Sequence, residues 1–289
     1  MKIGRLFRTI VVALAVLCVG GLPAQAKEKM IQIKGSDTIV NLSQAWAEEF
    51  MAQNPSVSIA VTGGGSGTGI AALINGTTDI ANSSRKIKKK ELDDAQKSGY
   101  YPEEFKVAVD ALAVIVNPAN PVKELTIDQL SDIFTGKITN WNEVGGKNEK
   151  ILVLSRDRNS GTHMYFLEQV LRKGTEKGPE QFAPSTLMLP SSEAIINETS
   201  TSESAIGYDG LGYVSPKVKT LAIAKKNGDP FVQPSKETAM NRTYPIWRFL
   251  YMYTGFKPRG ESKAFLDFVL SQKGQKLVED MGFVPLGEK

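Results

Sequence analysis

The sequence predicts an α/β protein with two doubly wound lobes. Segments 30–34, 57–61 and 79–81 are strand-like, and each is followed by a turn and then by a helix-like stretch. Segment 151–154 begins a second series of the same kind. Because alternating strands and helices favour parallel sheets covered by helices, the pattern indicates two such units.

The first 26 residues have the features of a secretory signal peptide. Basic residues at positions 2–8 precede an apolar run over 10–19 and the small-residue sequence 24–26. The apolar run is too short to span a membrane. We therefore expect cleavage after Ala26 and a periplasmic location. A lipid anchor on Cys18 is less favoured, because a bulky leucine precedes that cysteine.

Removal of this segment makes the chain nearly neutral. Three of the 35 Lys and Arg residues and none of the 31 Asp and Glu residues lie in it, which leaves 32 basic against 31 acidic residues. A nucleic-acid partner is therefore not expected. The only cysteine is removed as well, which excludes disulfides and thiolate metal sites from the mature chain.

Lobe one begins with a strand, a turn and a helix. Apolar residues at helical spacing run from Ile39 to Phe50 and stop at Asn54-Pro55. A short helix is predicted after the glycine-rich turn 63–69. Segment 105–116 is too long for an ordinary buried strand, so we expect it to cross into the second lobe.

Lobe two repeats this alternation. Its predicted elements are, in order, a helix from Thr126, the strand 151–154, a helix after residue 162 and the strand 205–208. The β-rich segment 244–253 and a helix around Phe265 are assigned back to lobe one. The boundaries are therefore 27–111 and 222–289 for lobe one and 112–221 for lobe two. Two crossings between lobes form a hinge that can close around a ligand.

Four short turns in this chain have the composition of an oxyanion site. They are Gly35-Ser36-Asp37-Thr38, Gly63-Gly64-Gly65-Ser66-Gly67-Thr68-Gly69, Asn82-Ser83-Ser84-Arg85 and Arg156-Asp157-Arg158-Asn159-Ser160-Gly161-Thr162. Glycine allows close approach of backbone N–H groups, serine and threonine donate hydroxyl groups, and a helix N-terminus adds unpaired N–H groups. An arginine beside such a turn matches a bidentate acceptor.

Other site types fit these turns less well. The glycine-rich turn lacks the third glycine of a dinucleotide fingerprint, the lysine of a Walker loop and the last glycine of a nucleophile elbow. Ser160 alone is typical of a helix N-cap. His163, the only histidine, has no acid at a recognisable spacing and no metal-ligand cluster around it, so neither a catalytic residue nor a metal site is predicted.

The ordered set of four turns resembles the phosphate-binding protein of the bacterial high-affinity phosphate ABC transporter. Segments 133–141, 205–208 and 282–286 extend the resemblance over nearly the whole mature chain. The resemblance implies the two-lobed periplasmic-binding-protein fold. It also implies a protein that captures inorganic phosphate, delivers it to an ABC permease, and uses no cofactor; we expect a monomer.

The resemblance also assigns ligand contacts. They are Ser36, Asp37, Thr38, Ser66, Ser84, Arg85, Arg156, Ser160, Gly161 and Thr162. Some family members have an aspartate where Ser84 stands, and that carboxylate accepts the proton of the ligand. Asp37 or Asp110 could fill this role here, and the sequence leaves both open. Alternative functions are binding of another oxyanion, such as sulfate or molybdate, and a secreted phosphatase or other hydrolase.

Overall fold

The computed structural model describes residues 29–287, and the predicted signal peptide and its cleavage site lie outside them. The strands of this region are β1 (Lys29–Gly35), β2 (Val57–Thr62), β3 (Ile80–Ser83), β4 (Glu103–Val116), β5 (Glu124–Thr126), β6 (Leu152–Arg156), β7 (Leu187–Leu189), β8 (Ala205–Gly210), β9 (Lys219–Thr220), β10 (Ala222–Ala224) and β11 (Trp247–Thr254).

The α-helices of the same region alternate with these strands, as the sequence predicts. They are α1 (Val40–Gln53), α2 (Ser66–Ile74), α3 (Lys89–Lys97), α4 (Ile127–Phe134), α5 (Gly161–Phe166), α6 (Ser192–Thr201), α7 (Lys236–Met240), α8 (Gly260–Leu270) and α9 (Gln272–Asp280). Helix α5 continues as a π-helical segment, Leu167–Leu171. The α/β class is confirmed.

Lobe one is built on three parallel strands. β1 lies between β2 and β3, with Ile33 opposite Val61 on one side and Ile80 on the other. Trp46 of α1 and Phe265 of α8 are fully buried in the core beside these strands. The carboxyl ends of the three strands therefore meet at one edge of the sheet.

Strand β4 joins the two lobes. Its first part, up to Ala111, pairs with β11, and its last part, Leu112–Val116, pairs with β8. The sheet follows the order β2-β1-β3-β11-β4-β8-β6-β7, and β9 pairs with β4. The pairs of β11 with β3 and β4, and of β4 with β8, are antiparallel, so the sheet is mixed rather than wholly parallel. β11 runs opposite to both β3 and β4, and β8 in turn runs opposite to β4.

The chain between residues 221 and 246 packs with lobe two. Strand β10 pairs with β5, and Ile223, Ala239 and Tyr244 are buried in the same core as Phe134. This packing favours a return to lobe one near residue 247, where β11 begins, over the predicted residue 222. We propose this later boundary for the lobes.

No helix within residues 29–287 is long and apolar enough to cross a bilayer.

Gly35 ends β1 in a conformation that demands glycine. Its φ is +143°, and a Cβ atom would lie 2.1 Å from the carbonyl oxygen of Asn82 on β3. We expect Gly35→Ala to lower the free energy of unfolding by about 2–4 kcal/mol, measured by urea denaturation, because backbone strain and overpacking add.

Gly99→Ala is the matched control for this substitution. Gly99 has a φ of +82° but nothing within 4 Å of its Cβ position, so its cost should be about 1–2 kcal/mol. Equal costs at the two positions would contradict the proposed clash with Asn82.

Candidate oxyanion-binding site

Four hydroxyl side chains from both lobes meet where the strands of the two lobes end. We call Thr38, Ser66, Ser84 and Thr162 the hydroxyl cluster; each is buried, with at most 1% of its surface exposed. The hydroxyl oxygens of Thr38 and Thr162 lie 2.7 Å apart. The hydroxyl of Ser84 lies 3.3 Å from those of Thr162 and Ser66. The cluster therefore joins three turns of lobe one to one turn of lobe two.

The local folds bring these hydroxyl groups together. Thr38 follows β1, Ser84 follows β3, and Ser66 is the first residue of α2. Gly161 of α5 lies against them so closely that a Cβ there would be 2.2 Å from the Ser66 hydroxyl oxygen. Glycine at 161 is thus required for α5 of lobe two to contact lobe one.

Ser160 acts as the N-cap of α5. Its hydroxyl accepts hydrogen bonds from the backbone N–H groups of Thr162 and His163 at 3.2 and 3.4 Å. Ser36, the residue before Asp37, is buried, and its hydroxyl has no hydrogen-bond partner within the described part of the chain. Of these two predicted contacts, the structure thus gives Ser160 a capping role and leaves the Ser36 hydroxyl unpaired.

Arg156 is a fully buried cation beside the cluster. Its Nη2 donates to Oδ2 of Asp37 at 2.9 Å, and its Nη1 donates to the Ser192 hydroxyl at 2.9 Å. Its Nε is buried and has no partner among residues 29–287. Asp37 also accepts a hydrogen bond from the N–H of Gly64 at 2.8 Å. The carboxylate of lobe one thus fixes the guanidinium of lobe two.

Asp209 is a second acid beside Arg156 that the sequence analysis missed. Its Oδ2 lies 3.7 Å from Nη1 of Arg156, and its Oδ1 accepts hydrogen bonds from Ser192 and from the N–H of Gly210. Burial raises the pKa of the Asp209 carboxyl, and the charge of Arg156 opposes this shift. The only sequence signal was an acid at the end of an otherwise uncharged strand.

Arg248 is another buried arginine near the cluster, and it was also missed. Its Nε and Nη2 donate to Oδ2 of Asp110 at 3.0 and 2.8 Å, and its Nη1 donates to the Thr162 hydroxyl at 3.0 Å. Burial raises the pKa of the Asp110 carboxyl, against the effect of Arg248. A single arginine within the apolar and aromatic segment 244–253 was the available signal.

Arg85 does not reach the hydroxyl cluster. Its Nη1 and Nη2 donate to the two carboxylate oxygens of Glu91 at 2.8 and 2.6 Å. This pairing occupies both terminal nitrogens of the guanidinium. Arg158 is exposed.

His163 is buried behind the site. Its Nδ1 lies 3.0 Å from the Ser155 hydroxyl, and its ring stacks on Phe182 with centroids 4.5 Å apart. Burial lowers its pKa to about 4, and the positive charges of Arg158 and Lys88 add to this shift. The imidazole is therefore neutral at neutral pH. No group of three or more possible metal-ligating side chains occurs in the described ranges.

Further contacts connect the lobes around the cluster. The N–H of Gly67 donates to the carbonyl of Asn159 at 2.9 Å, and the Tyr213 hydroxyl donates to the carbonyl of Asp37 at 2.8 Å. Lys88 forms an ion pair with Glu168 at 3.1 Å. The two lobes thus face each other across a cleft that is closed around the hydroxyl cluster.

This fold and cleft define a class of binding protein, and a family model agrees. Residues 22–273 match the model of a PBP superfamily domain. The chain is also 38% identical over 272 residues to the phosphate-binding protein PstS of Pseudomonas aeruginosa. The matched region covers 88% of this chain and 82% of that protein. It is 36% identical to PstS of Bacillus subtilis, over 91% of this chain and 84% of the relative.

Solved structures show the same similarity. A substrate-binding protein from Clostridium perfringens, with bound phosphate, is 33% identical at a TM-score of 0.79, covering 90% of this chain and all of that one. An ABC-type phosphate transport receptor from Vibrio cholerae is 31% identical at a TM-score of 0.71, covering 89% of this chain and all of the receptor. The chain therefore belongs to the PBP superfamily and, within it, to the family of the phosphate-binding protein of bacterial phosphate ABC transporters.

The low pKa of His163 predicts a pH-dependent stability. The folded pKa of about 4 lies below the ordinary value of 6.5, so the unfolded chain binds the proton first and stability falls as the pH drops below about 7. The expected loss between pH 8 and pH 5 is about 2 kcal/mol from this group.

Urea denaturation of the wild-type protein and His163→Asn at both pH values isolates this contribution. The variant should lose less stability on acidification than the wild-type protein. An identical loss in the two proteins would show that His163 is not the group responsible.

Proposed function

We propose that this chain binds inorganic phosphate between its lobes, outside the cytoplasmic membrane, and delivers it to an ABC permease. The observation that carries the proposal is the convergence of four buried hydroxyl groups and the buried Arg156 from both lobes. The bound phosphate in the similar C. perfringens protein supports the same ligand.

The chemistry of the site suits a tetrahedral anion. Hydroxyl groups donate one hydrogen bond each, and a buried guanidinium supplies charge-assisted donors of about twice the strength of neutral ones. The free N–H at Nε of Arg156 and the unpaired Ser36 hydroxyl add two donors without partners in the described residues. A desolvated anion would satisfy these donors, which are otherwise costly to bury.

We assign the ligand contacts from this geometry. The proposed set is Thr38, Ser66, Ser84, Arg156 and Thr162, with Ser36, Ser160 and Gly161 at the turns that hold them. Arg85 is left out because Glu91 occupies its terminal nitrogens. Asp37 holds Arg156 and retains acceptor capacity for a ligand proton, since each of its oxygens accepts one hydrogen bond.

We propose that the site binds without catalysing a reaction. A nucleophilic serine requires a base within hydrogen-bond reach. The Ser160 hydroxyl accepts two backbone N–H groups, and the His163 imidazole is bonded to Ser155 instead. In this proposal the segment 1–26 directs export of the chain, and the exported protein acts as a monomer. No cofactor or nucleic-acid partner is part of it.

Titration calorimetry on phosphate-stripped protein tests the function directly. Phosphate should bind with one site per chain and far more tightly than sulfate at neutral pH. Absence of phosphate binding would refute the proposal, and comparable affinities for the two ions would exclude recognition through the ligand proton. Turnover of a chromogenic phosphate ester that is lost in Ser160→Ala would favour the hydrolase instead.

The contribution of Arg156 gives a residue-level prediction. Arg156→Ala should raise the Kd for phosphate by about 10- to 100-fold, because a charge-assisted contact contributes roughly 1.5–3 kcal/mol. Thr38→Ala, which removes one neutral donor, should raise it by about 2- to 10-fold. Calorimetry at constant pH and salt measures both.

Arg158→Ala is the matched control, since Arg158 lies two residues away and is exposed. It should bind phosphate nearly as the wild-type protein does. Weaker binding by Arg158→Ala together with unchanged binding by Arg156→Ala would contradict the assignment of the two arginines.

A further inference from the structure

Arg248 and Asp110 form a buried ion pair where β11 and β4 run side by side. The two residues face each other across the antiparallel strands, and their exposed fractions are 3% and 0%. Two nitrogens of Arg248 donate to one oxygen of Asp110. The N–H of Leu211 donates to the other oxygen at 3.0 Å.

The third nitrogen of Arg248 points away from Asp110 and into the hydroxyl cluster. Nη1 donates to the Thr162 hydroxyl at 3.0 Å and to the carbonyl of Ser84 at 3.2 Å. Thr162 belongs to lobe two and Ser84 to lobe one. The cation therefore contacts both lobes at the point where their hydroxyl groups meet.

A groove connects Arg248 with the protein surface. It encloses about 530 Å³ and is lined by Lys86 and Lys88 of lobe one, by Tyr165 and Gln169 of lobe two, and by Arg248 itself. The groove gives an anion access to the guanidinium between the lobes.

We propose that Arg248 is a second cationic contact for the bound anion and that Asp110 is the residue that positions it, not the acceptor of the ligand proton. This inference rests on the proposed function. Arg156 then approaches the ligand from lobe two, and Arg248 approaches it from the strands that connect the lobes.

The hydrogen bonds of Asp110 support the positioning role. Three donors already occupy its two oxygens, and the residue is fully buried. Within the described part of the chain, Asp37 accepts only two hydrogen bonds, one from a single guanidinium nitrogen of Arg156 and one from the N–H of Gly64. A carboxylate that binds Nε and Nη2 in this way fixes the orientation of the guanidinium, so that Nη1 faces the hydroxyl cluster, where it donates to the Thr162 hydroxyl and the Ser84 carbonyl.

The double variant Asp110→Asn/Arg248→Gln tests the cationic contact. It removes the guanidinium without leaving a buried unpaired carboxylate, so the chain should remain folded, as checked by thermal melting. The Kd for phosphate should rise by about 10- to 100-fold, the effect of one charge-assisted contact. An unchanged Kd in the folded double variant would overturn the inference.

Arg172→Gln is the matched control for the loss of a guanidinium. Arg172 donates to the backbone carbonyls of Glu176 and Glu180 in lobe two, and its substitution should leave the Kd within about twofold of the wild-type value. Wild-type protein that does not bind phosphate would refute the proposed function itself. Wild-type binding that the double variant retains would refute only the role of Arg248.

The single variant Asp110→Asn tests the positioning role. If Asp110 positions Arg248, the ratio of the phosphate and sulfate affinities should stay within about threefold of the wild-type ratio, because neither ion touches Asp110. The affinity for sulfate is measured by its competition with phosphate for the site. If Asp110 instead accepts the ligand proton, the variant should keep its phosphate affinity, and its preference for phosphate over sulfate should fall at least tenfold. That result would overturn the positioning role of Asp110.

Discussion

The burial of guanidinium groups between the lobes is the constraint on which the site depends. A cation removed from water is stable only when it is paired and hydrogen-bonded. Asp37 pairs with Arg156 across the lobes, and Asp110 pairs with Arg248 at the connecting strands. Each carboxylate occupies part of a guanidinium: Nη1 of Arg248 still reaches the Thr162 hydroxyl, and Nε of Arg156 has no partner among the described residues. The two carboxylates thus offset the cost of burying the two guanidinium groups, and they do not occupy all of the N–H donors.

The sheet places these groups with little freedom. β1 and β3 are parallel, so the turns after them lie at one edge, and Gly35 allows these turns to contact each other. Strand β4 is shared by both halves of the sheet and carries Asp110 near the junction between its two pairing partners. Rotation of one lobe against the other would therefore alter the distances within the cluster.

The fold class and the four turns could be predicted from the sequence. Three of those turns supply the side chains of the hydroxyl cluster that belong to lobe one, and the fourth turn supplies Thr162. Local periodicity and glycine-rich composition were sufficient for these features. Arg248 and Asp209 could not be predicted in the same way, because each joins the site through tertiary packing from a strand without a turn motif. Arg85 stood in a predicted motif, but the direction of its side chain depends on Glu91, six residues further along the chain in α3. The proposed return to lobe one near residue 247 rests on the pairing of β10 with β5, which the periodicity of the sequence does not reveal.

A crystal structure of the phosphate complex tests the central claim most directly. The account predicts one ion whose oxygens lie about 2.7–3.2 Å from the hydroxyls of Thr38, Ser84 and Thr162 and from nitrogens of both Arg156 and Arg248. A phosphate ion held by one lobe alone, or located outside the hydroxyl cluster, would contradict it.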